Sequence, residues 1–364
     1  MMHAAITLTG PGRLGYSRDP VLPLPEGALR IMPRFAGVCG TDLDIIRRTR
    51  SDMPSVLGHE VVAEVTECCA QFSAGGAGGR IVVVNPVSDA DQTRNFGHSI
   101  PGIWAQQRVV TQQEIADGHL SAWHSAEIGP ESALAEPVAA ALYAQGLMGL
   151  DAGHAARVLI LGSGGIALTL ALVLTGKGHS VLLSPSDTDH AAQLAQGLDS
   201  FPGVQIVPRT ALTQCGFRVD AAAVMVSRGG CRAAIGQALA VLEPGGVLDL
   251  VSSVAPGVSP ACGRLSFDDL AGIRWRNTRG TPTAGAYLDG QGPNGPYRVT
   301  GQRGTSADQI AAAVMLIDAY STRFRRLVSH VVPFEEAAAF VEAVARNRAL
   351  RIDGRIVTKA VIAF

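Results

Sequence analysis

The chain has 364 residues, 47% of them hydrophobic and 17% charged, with a formal net charge of −1. That length exceeds one ordinary core and suits two domains. The near-neutral balance (pI about 6.8) argues against a polyanionic partner, so no nucleic acid and no acidic membrane surface is expected. No stretch reaches the roughly 18 unbroken apolar residues of a membrane span, and the first residues do not read as a signal peptide. The six cysteines, at 39, 68, 69, 215, 231 and 262, lack framework spacing. They read as reduced thiols, and a cytoplasmic protein is expected.

Along the chain, 28–38, 56–67 and 80–86 are short β-like runs separated by Gly, Pro and Asp turns. The first 130 residues therefore read as β-rich and loop-rich. The stretch 131–150 is apolar and helix-like, and strands and helices then alternate. Strands are expected at 158–162, 180–184, 203–207, 221–226 and 246–252. Helices are expected at about 165–176, 188–198 and 230–242, the last ended by Glu243-Pro244-Gly245-Gly246. Repeated βα units imply a parallel sheet covered by helices on both faces. Regularity fails after about 255, and 279–304, rich in Gly, Pro and Thr, reads as a long loop. The tail reads as helix 306–320, strand 327–332, helix 334–346 and strand 354–363.

After the strand at 158–161 comes Gly162-Ser163-Gly164-Gly165-Ile166-Ala167, a G-x-G-x-x-A run between a buried strand and an apolar helix. Such a loop permits a tight turn and lets a pyrophosphate approach the backbone. The helix start then offers free N–H groups to the phosphates. Dinucleotide binding through these residues is expected. The next strand ends in Ser184-Pro185-Ser186-Asp187, with Pro185 where an NAD-selective carboxylate usually stands. Ser184 and Ser186 could donate to a 2′-phosphate, and Asp187 could reach the ribose, so NAD and NADP both stay open.

Three further items carry donor chemistry: Cys39-Gly40-Thr41-Asp42, Gly58-His59-Glu60 and Glu136 in Leu134-Ala135-Glu136-Pro137. Thiolate, imidazole and carboxylate are suitable zinc ligands, and a catalytic site keeps one position open. Singly, each has a plainer reading: a small core cysteine, a surface pair, a helix-terminus charge. Their order ahead of a dinucleotide loop favours the metal.

With GVCGTD (37–42), GHEVVAEV (58–65), ALAEPVAAALYA (133–144), GSGGIA (162–167) and GRIVTKAVI (354–362), the chain resembles the zinc-containing medium-chain dehydrogenase/reductase family. The likeness is to its polyol, glucose and threonine dehydrogenase branch. The resemblance implies an α/β chain: a GroES-like, β-rich catalytic domain (1–137 and 306–364) and a Rossmann NAD(P)-binding domain (138–305). It implies one catalytic zinc at Cys39 and His59, with Glu60 and Glu136 as ligands or near-ligands. Thr41 would relay the alcohol proton, and Asp42 would be a supporting hydrogen-bonding residue. Asp44 stands where relatives often carry a relay histidine; it would accept protons toward solvent or be a solvated turn carboxylate. No cysteine occurs in 85–103, where many relatives hold a structural zinc, so none is expected there. The implied reaction is hydride transfer between a secondary alcohol (polyol, sugar or cyclitol) and NAD(P), in a homo-oligomer, dimer or tetramer. His98, Trp104, Arg274 and Asn277 are candidate pocket walls. The alternatives are a zinc-free NADPH-dependent enone or quinone reductase of the same fold and a non-catalytic dinucleotide-binding protein. Cys39, His59, Glu60 and Glu136 together argue against both.

Overall fold

The computed structural model describes residues 2–68, 81–123, 127–150, 153–197, 202–212, 216–254, 265–280, 286–347 and 351–364. They form two compact units, Met1–Ala139 with Thr305–Phe364, and Ala140–Gly304. Among the described residues no helix is long and apolar enough to cross a membrane.

The first unit opens with β1 (Met2–Gly10), β2 (Arg13–Pro20), β3 (Leu29–Gly37), α1 (Gly40–Ile46), β4 (Glu60–Cys68) and β5 (Ile81–Val84). It continues with β6 (Arg108–Val110), α2 (Gln112–Ala116), β7 (Leu120–Ala122) and the start of α3 (Ala135–Leu147). The second unit runs through β8 (Arg157–Leu161), α4 (Gly165–Gly176), β9 (Ser180–Ser184), α5 (Thr188–Gly197), β10 (Val204–Ile206) and β11 (Val219–Val224). It ends with α6 (Cys231–Val241), β12 (Leu242–Leu250), α7 (Phe267–Arg276), β13 (Leu288–Gly292) and β14 (Gly295–Gly301). The tail of the first unit is α8 (Ala307–Ala319), α9 (Ser321–Arg325), β15 (His330–Pro333), α10 (Phe334–Arg346), β16 (Arg351–Ile352), β17 (Arg355–Ile356) and β18 (Ala360–Ala363).

In the first unit the main sheet has the order β15-β18-β3-β4-β5-β7, with β6 also on β3. All its pairs are antiparallel except β15–β18. Alternating Val61, Ala63, Val82 and Val84 join α10 residues such as Val341 in one buried cluster. The register sets Gly37 of β3 opposite Glu60 on one side and Val361 on the other. A 3-10 turn at Pro130–Leu134 packs on β3, β4 and β18, and α3 starts from it.

In the second unit the order β10-β9-β8-β11-β12-β14-β13 places later strands on both sides of β8. This doubly wound sheet is parallel apart from β13. Its strands are near-continuous Val, Leu, Ile and Ala because helices cover both faces. A ligand binds such a sheet beyond the strand C-termini, at the switch point where winding reverses, here between β8 and β11.

The expected long loop at 279–304 is replaced over much of its length by the β13–β14 hairpin, turned at Pro293-Asn294. Its glycines serve packing: a side chain at Gly290 would collide with the Tyr297 ring. The Asn294 side chain donates to the carbonyls of Leu239, Ala240 and Leu242 at the end of α6, which seats the turn. Helix α7 was hidden in the region read as irregular; it begins with a capping box from Ser266 and Asp269. The β1–β2 ribbon was not anticipated either. Cys69, Cys215, Cys262 and residue 80 lie outside the described residues.

Candidate functional site

Cys39 lies two residues past the end of β3 and is the N-cap of α1. Asp42, on that turn, is fully buried and accepts from the Cys39 N–H at 2.9 Å and the Gly58 N–H at 3.4 Å. The same carboxylate lies 3.6 Å from His59 Nδ1. Asp42 thus ties together the loops that carry Cys39 and His59. Burial raises its pKa despite His59 and the backbone donors, which pull it down.

Ligand atoms of Cys39, His59 and Glu60 all lie within 4.8 Å of one another, the one such group among the described residues. His59 and Glu60 are buried and Cys39 is partly exposed. Burial alone would lower the His59 pKa, but Asp42, Cys39 and Glu60 outweigh it and push it up to about 10. Glu136, on the first turn of α3, feels the same cluster: burial first, then Glu60, raise its pKa to about 7. Like charges in a water-poor site disfavour a further anion, and that is a setting a cation relieves.

Thr41 is partly exposed, two residues after Cys39 on the same turn. Asp44 is not gathered into the donor group; its carboxylate lies 4.0 Å from the Arg47 guanidinium at the end of α1. Of the wall candidates, the His98 ring sits 4.9 Å from that of His59. Trp104 is wholly buried in the core. Arg274 donates to the carbonyls of Leu250 and Val251, and Asn277 is buried among Ala286, Thr300 and Gly301. The 85–103 lobe is shaped by turns: Ser88 Oγ accepts from Ala90 and Asp91, and Phe96 is buried.

One group escaped sequence reasoning. Lys359, just before β18, is buried and its Nζ pairs with Glu60 Oε2. A lysine in the TKAVI strand was visible, but nothing local to it pointed to Glu60.

In the second unit the loop from β8 to α4 is held by Gly162, whose N–H bonds Ser184 O at 3.0 Å. Gly162 has φ +142°, and a Cβ there would collide with Met225 O. Gly164 differs: a Cβ added there meets nothing within 4 Å. Packing therefore does not demand a glycine at 164, and the open space in front of it suits an approaching phosphate. Ser163, Gly165 and Ile166 are partly exposed around it. Gly164 precedes α4 with no side-chain cap, so the first N–H groups of the helix stay available. Ser184 is buried at the β9 terminus with its Oγ lacking a partner among the described residues, while Ser186 is exposed. Asp187 accepts from the His190 N–H at 2.7 Å, a structural task at the start of α5.

This chain thus joins a β-rich unit bearing a thiol–imidazole–carboxylate group to a doubly wound unit bearing a glycine-rich strand-to-helix loop. Residues 25–118 match the alcohol dehydrogenase GroES-like domain. The chain is 28% identical over 216 residues to D-altritol 5-dehydrogenase of Agrobacterium fabrum, covering 54% of this chain and 62% of that protein. It is 26% identical over 258 residues to glucose 1-dehydrogenase 2 of Vulcanisaeta moutnovskia, covering 66% of this chain and 70% of that one. The fold is shared with an alcohol dehydrogenase from E. coli CFT073 complexed with NADH: TM-score 0.73, 14% identity, 100% of this chain and 99% of that one. Residues 25–118 therefore carry the alcohol dehydrogenase GroES-like domain, the chain is similar in sequence to polyol and glucose dehydrogenases, and it covers less than two thirds of the D-altritol 5-dehydrogenase.

Proposed function

We propose that this protein transfers hydride between a secondary alcohol and NAD(P), using one zinc at Cys39 and His59 with help from Glu60 and Glu136. The observation that carries the reading is the convergence of Cys39, His59 and Glu60 donor atoms within 4.8 Å. The fit rests on donor chemistry: soft thiolate, imidazole with a carboxylate behind it, and hard carboxylate oxygens are a zinc set. Zinc bound there would act as a Lewis acid that lowers the pKa of an alcohol. The unit Met1–Ala139 with Thr305–Phe364 would be the catalytic domain and Ala140–Gly304 the cofactor domain.

The chain's own residues divide the remaining work. Asp42 fixes the His59 ring. Thr41 offers a hydroxyl that accepts the substrate proton and passes it toward solvent, a task worth typically about 10²–10⁴-fold. Gly162, Ser163, Gly164, Gly165 and Ile166 would hold the cofactor pyrophosphate, and Ser184 and Ser186 could donate to a 2′-phosphate. The net reaction is alcohol plus NAD(P)+ to ketone, NAD(P)H and a proton.

Two relatives act, by name, on a polyol and a sugar. Two carboxylates beside the metal suit such substrates, because they can accept from a second hydroxyl. A polyol, sugar or cyclitol is the proposed substrate class.

The test is zinc content of the purified protein, followed by NAD(P)H formation across a polyol and sugar panel. The reading expects one zinc per chain, lost in Cys39→Ser, and turnover that goes with it. Metal-independent enone reduction by the wild type would favour the quinone-reductase alternative. A protein that binds NAD(P) but turns over no alcohol or ketone would overturn the enzyme reading.

A further inference from the structure

The stretch 184–187 that follows β9 holds no Arg or Lys, but the fold brings a cation to it from the next strand. β9 and β10 are parallel neighbours, with Leu183 opposite Ile206 and the Val207 N–H bonded to Leu183 O at 2.9 Å. Both strands therefore leave the sheet at the same edge, about 5 Å apart. Arg209 is the second residue after Val207 and opens the 3-10 turn Arg209–Ala211. Its backbone thus stands beside the residues that end β9. That end is also tied to the phosphate loop, because Ser184 O accepts from the Gly162 N–H at 3.0 Å. A ribose next to a pyrophosphate on that loop falls within reach of the ends of β9 and β10.

The Ser184 and Arg209 side chains share a face of the sheet. Leu182 and Val207 both join the core cluster beneath α6. Ser184, two residues past Leu182 on β9, points the same way, and Arg209 Nη1 meets Gln237 Oε1 of α6 at 3.4 Å. Both groups have donors to spare. Ser184 Oγ, Arg209 Nε and Arg209 Nη2 are buried without a hydrogen-bond partner among the described residues. A guanidinium is a fork of N–H donors, and its one bond to Gln237 is long. Burial lowers the Arg209 pKa, with no carboxylate among the described residues offsetting it. Asp187, the nearest acid along the chain, is occupied with the His190 N–H at the start of α5. Buried donors left unmet are unfavourable, and a dianionic phosphate with several acceptor oxygens would satisfy them together.

We propose that the protein selects NADP over NAD, with Arg209 and Ser184 as the specificity-determining residues that hold the 2′-phosphate of the adenosine ribose. A carboxylate at the end of β9 would accept from a 2′-hydroxyl and repel a phosphate; Ser184, Pro185 and Ser186 supply none, and Arg209 supplies the opposite charge. This inference rests on the dinucleotide reading of the 162–166 loop.

The experiment reads binding rather than turnover: calorimetric titration of the full-length protein with NADPH, NADH, 2′,5′-ADP and 5′-AMP. The wild type should favour NADPH over NADH, and 2′,5′-ADP over 5′-AMP, by about tenfold to a hundredfold, the range of one or two charge-assisted hydrogen bonds. Arg209→Gln should lose most of that ratio through weaker binding of the two phosphorylated ligands. Arg209→Lys, which keeps the charge and not the fork, should keep part of it, and Ser184→Ala should lose a smaller part. A wild type that binds each pair equally or prefers NADH, or an Arg209→Gln protein that keeps the full ratio, would overturn the proposal. The wild-type ratios decide alone if the Arg209 variants do not fold. If the wild type binds neither NADPH nor NADH, the dinucleotide reading itself fails.

Discussion

Asp249 lies within β12, in register with Ala223 of β11 and Thr300 of β14. Its neighbours Leu248 and Leu250 join the core beside α6, so its own side chain enters the opposite face of the sheet. It is wholly buried, and neither carboxylate oxygen has a hydrogen-bond partner among the described residues. Burial pushes its pKa from 3.8 up to about 7, against the pull of Arg274. A group whose folded pKa is raised contributes stability below its unfolded pKa, and loses it as pH rises through the folded value. The relevant window is therefore about pH 4 to 7. At 1.36 kcal/mol per unit, the raised pKa of Asp249 costs the folded state about 4 kcal/mol at pH 8 and about 2 kcal/mol at pH 5, where only the unfolded chain ionises it. Asp249→Asn should remove that dependence. Its amide also lacks a partner, but this penalty is the same at both pH values and cancels. The variant should thus gain about 2 kcal/mol on wild type between pH 5 and pH 8, or roughly 4–8 °C in Tm for a unit of this size. Glu136 also titrates near pH 7, but in both proteins alike. Thermal melts of both proteins at pH 5, 6, 7 and 8 make the measurement. A Tm difference that does not grow with pH would refute the reasoning, because it would mean that the carboxylate is solvated or paired in solution.

Three further outcomes are expected. Thr41→Val should lose about 10²–10⁴-fold in kcat with modest change in KM and full metal content, while Thr41→Ser keeps much of the rate; steady-state kinetics with zinc analysis checks both. Asp42→Asn should weaken metal binding by about 10–100-fold, because it releases the His59 ring and a buried link to Cys39 and Gly58, as chelator competition would read. Gly162→Ala, which needs φ +142° and meets Met225 O, should lower both Tm and NAD(P) affinity, whereas Gly164→Ala, facing open space, should lower affinity with unfolding free energy within about 0.5 kcal/mol of wild type. If Gly164→Ala binds cofactor as tightly as wild type, the phosphate does not approach there.

The amino-acid order by itself determined the alternation of β8 through β12 with its helices, because a buried parallel strand and an apolar helix each leave a local periodic signature. It also pointed to Cys39, His59, Glu60 and Glu136 as candidate donors, of which the structure brings Cys39, His59 and Glu60 within 4.8 Å of one another, and to 162–167 as a candidate phosphate loop. It did not reveal the β13–β14 hairpin, because Gly290 and Pro293-Asn294 carry the composition of a loop whether or not Tyr297 folds over them. Nor could it tell Gly162, demanded by Met225 O, from Gly164, demanded by nothing in the chain. The Lys359–Glu60 pair joins residues 299 positions apart, and Asp249 is isolated by strands whose order is not written locally. Only tertiary structure decided these, because which charge meets which, and which meets none, depends on register across strands, and register is set by the packing of the whole sheet.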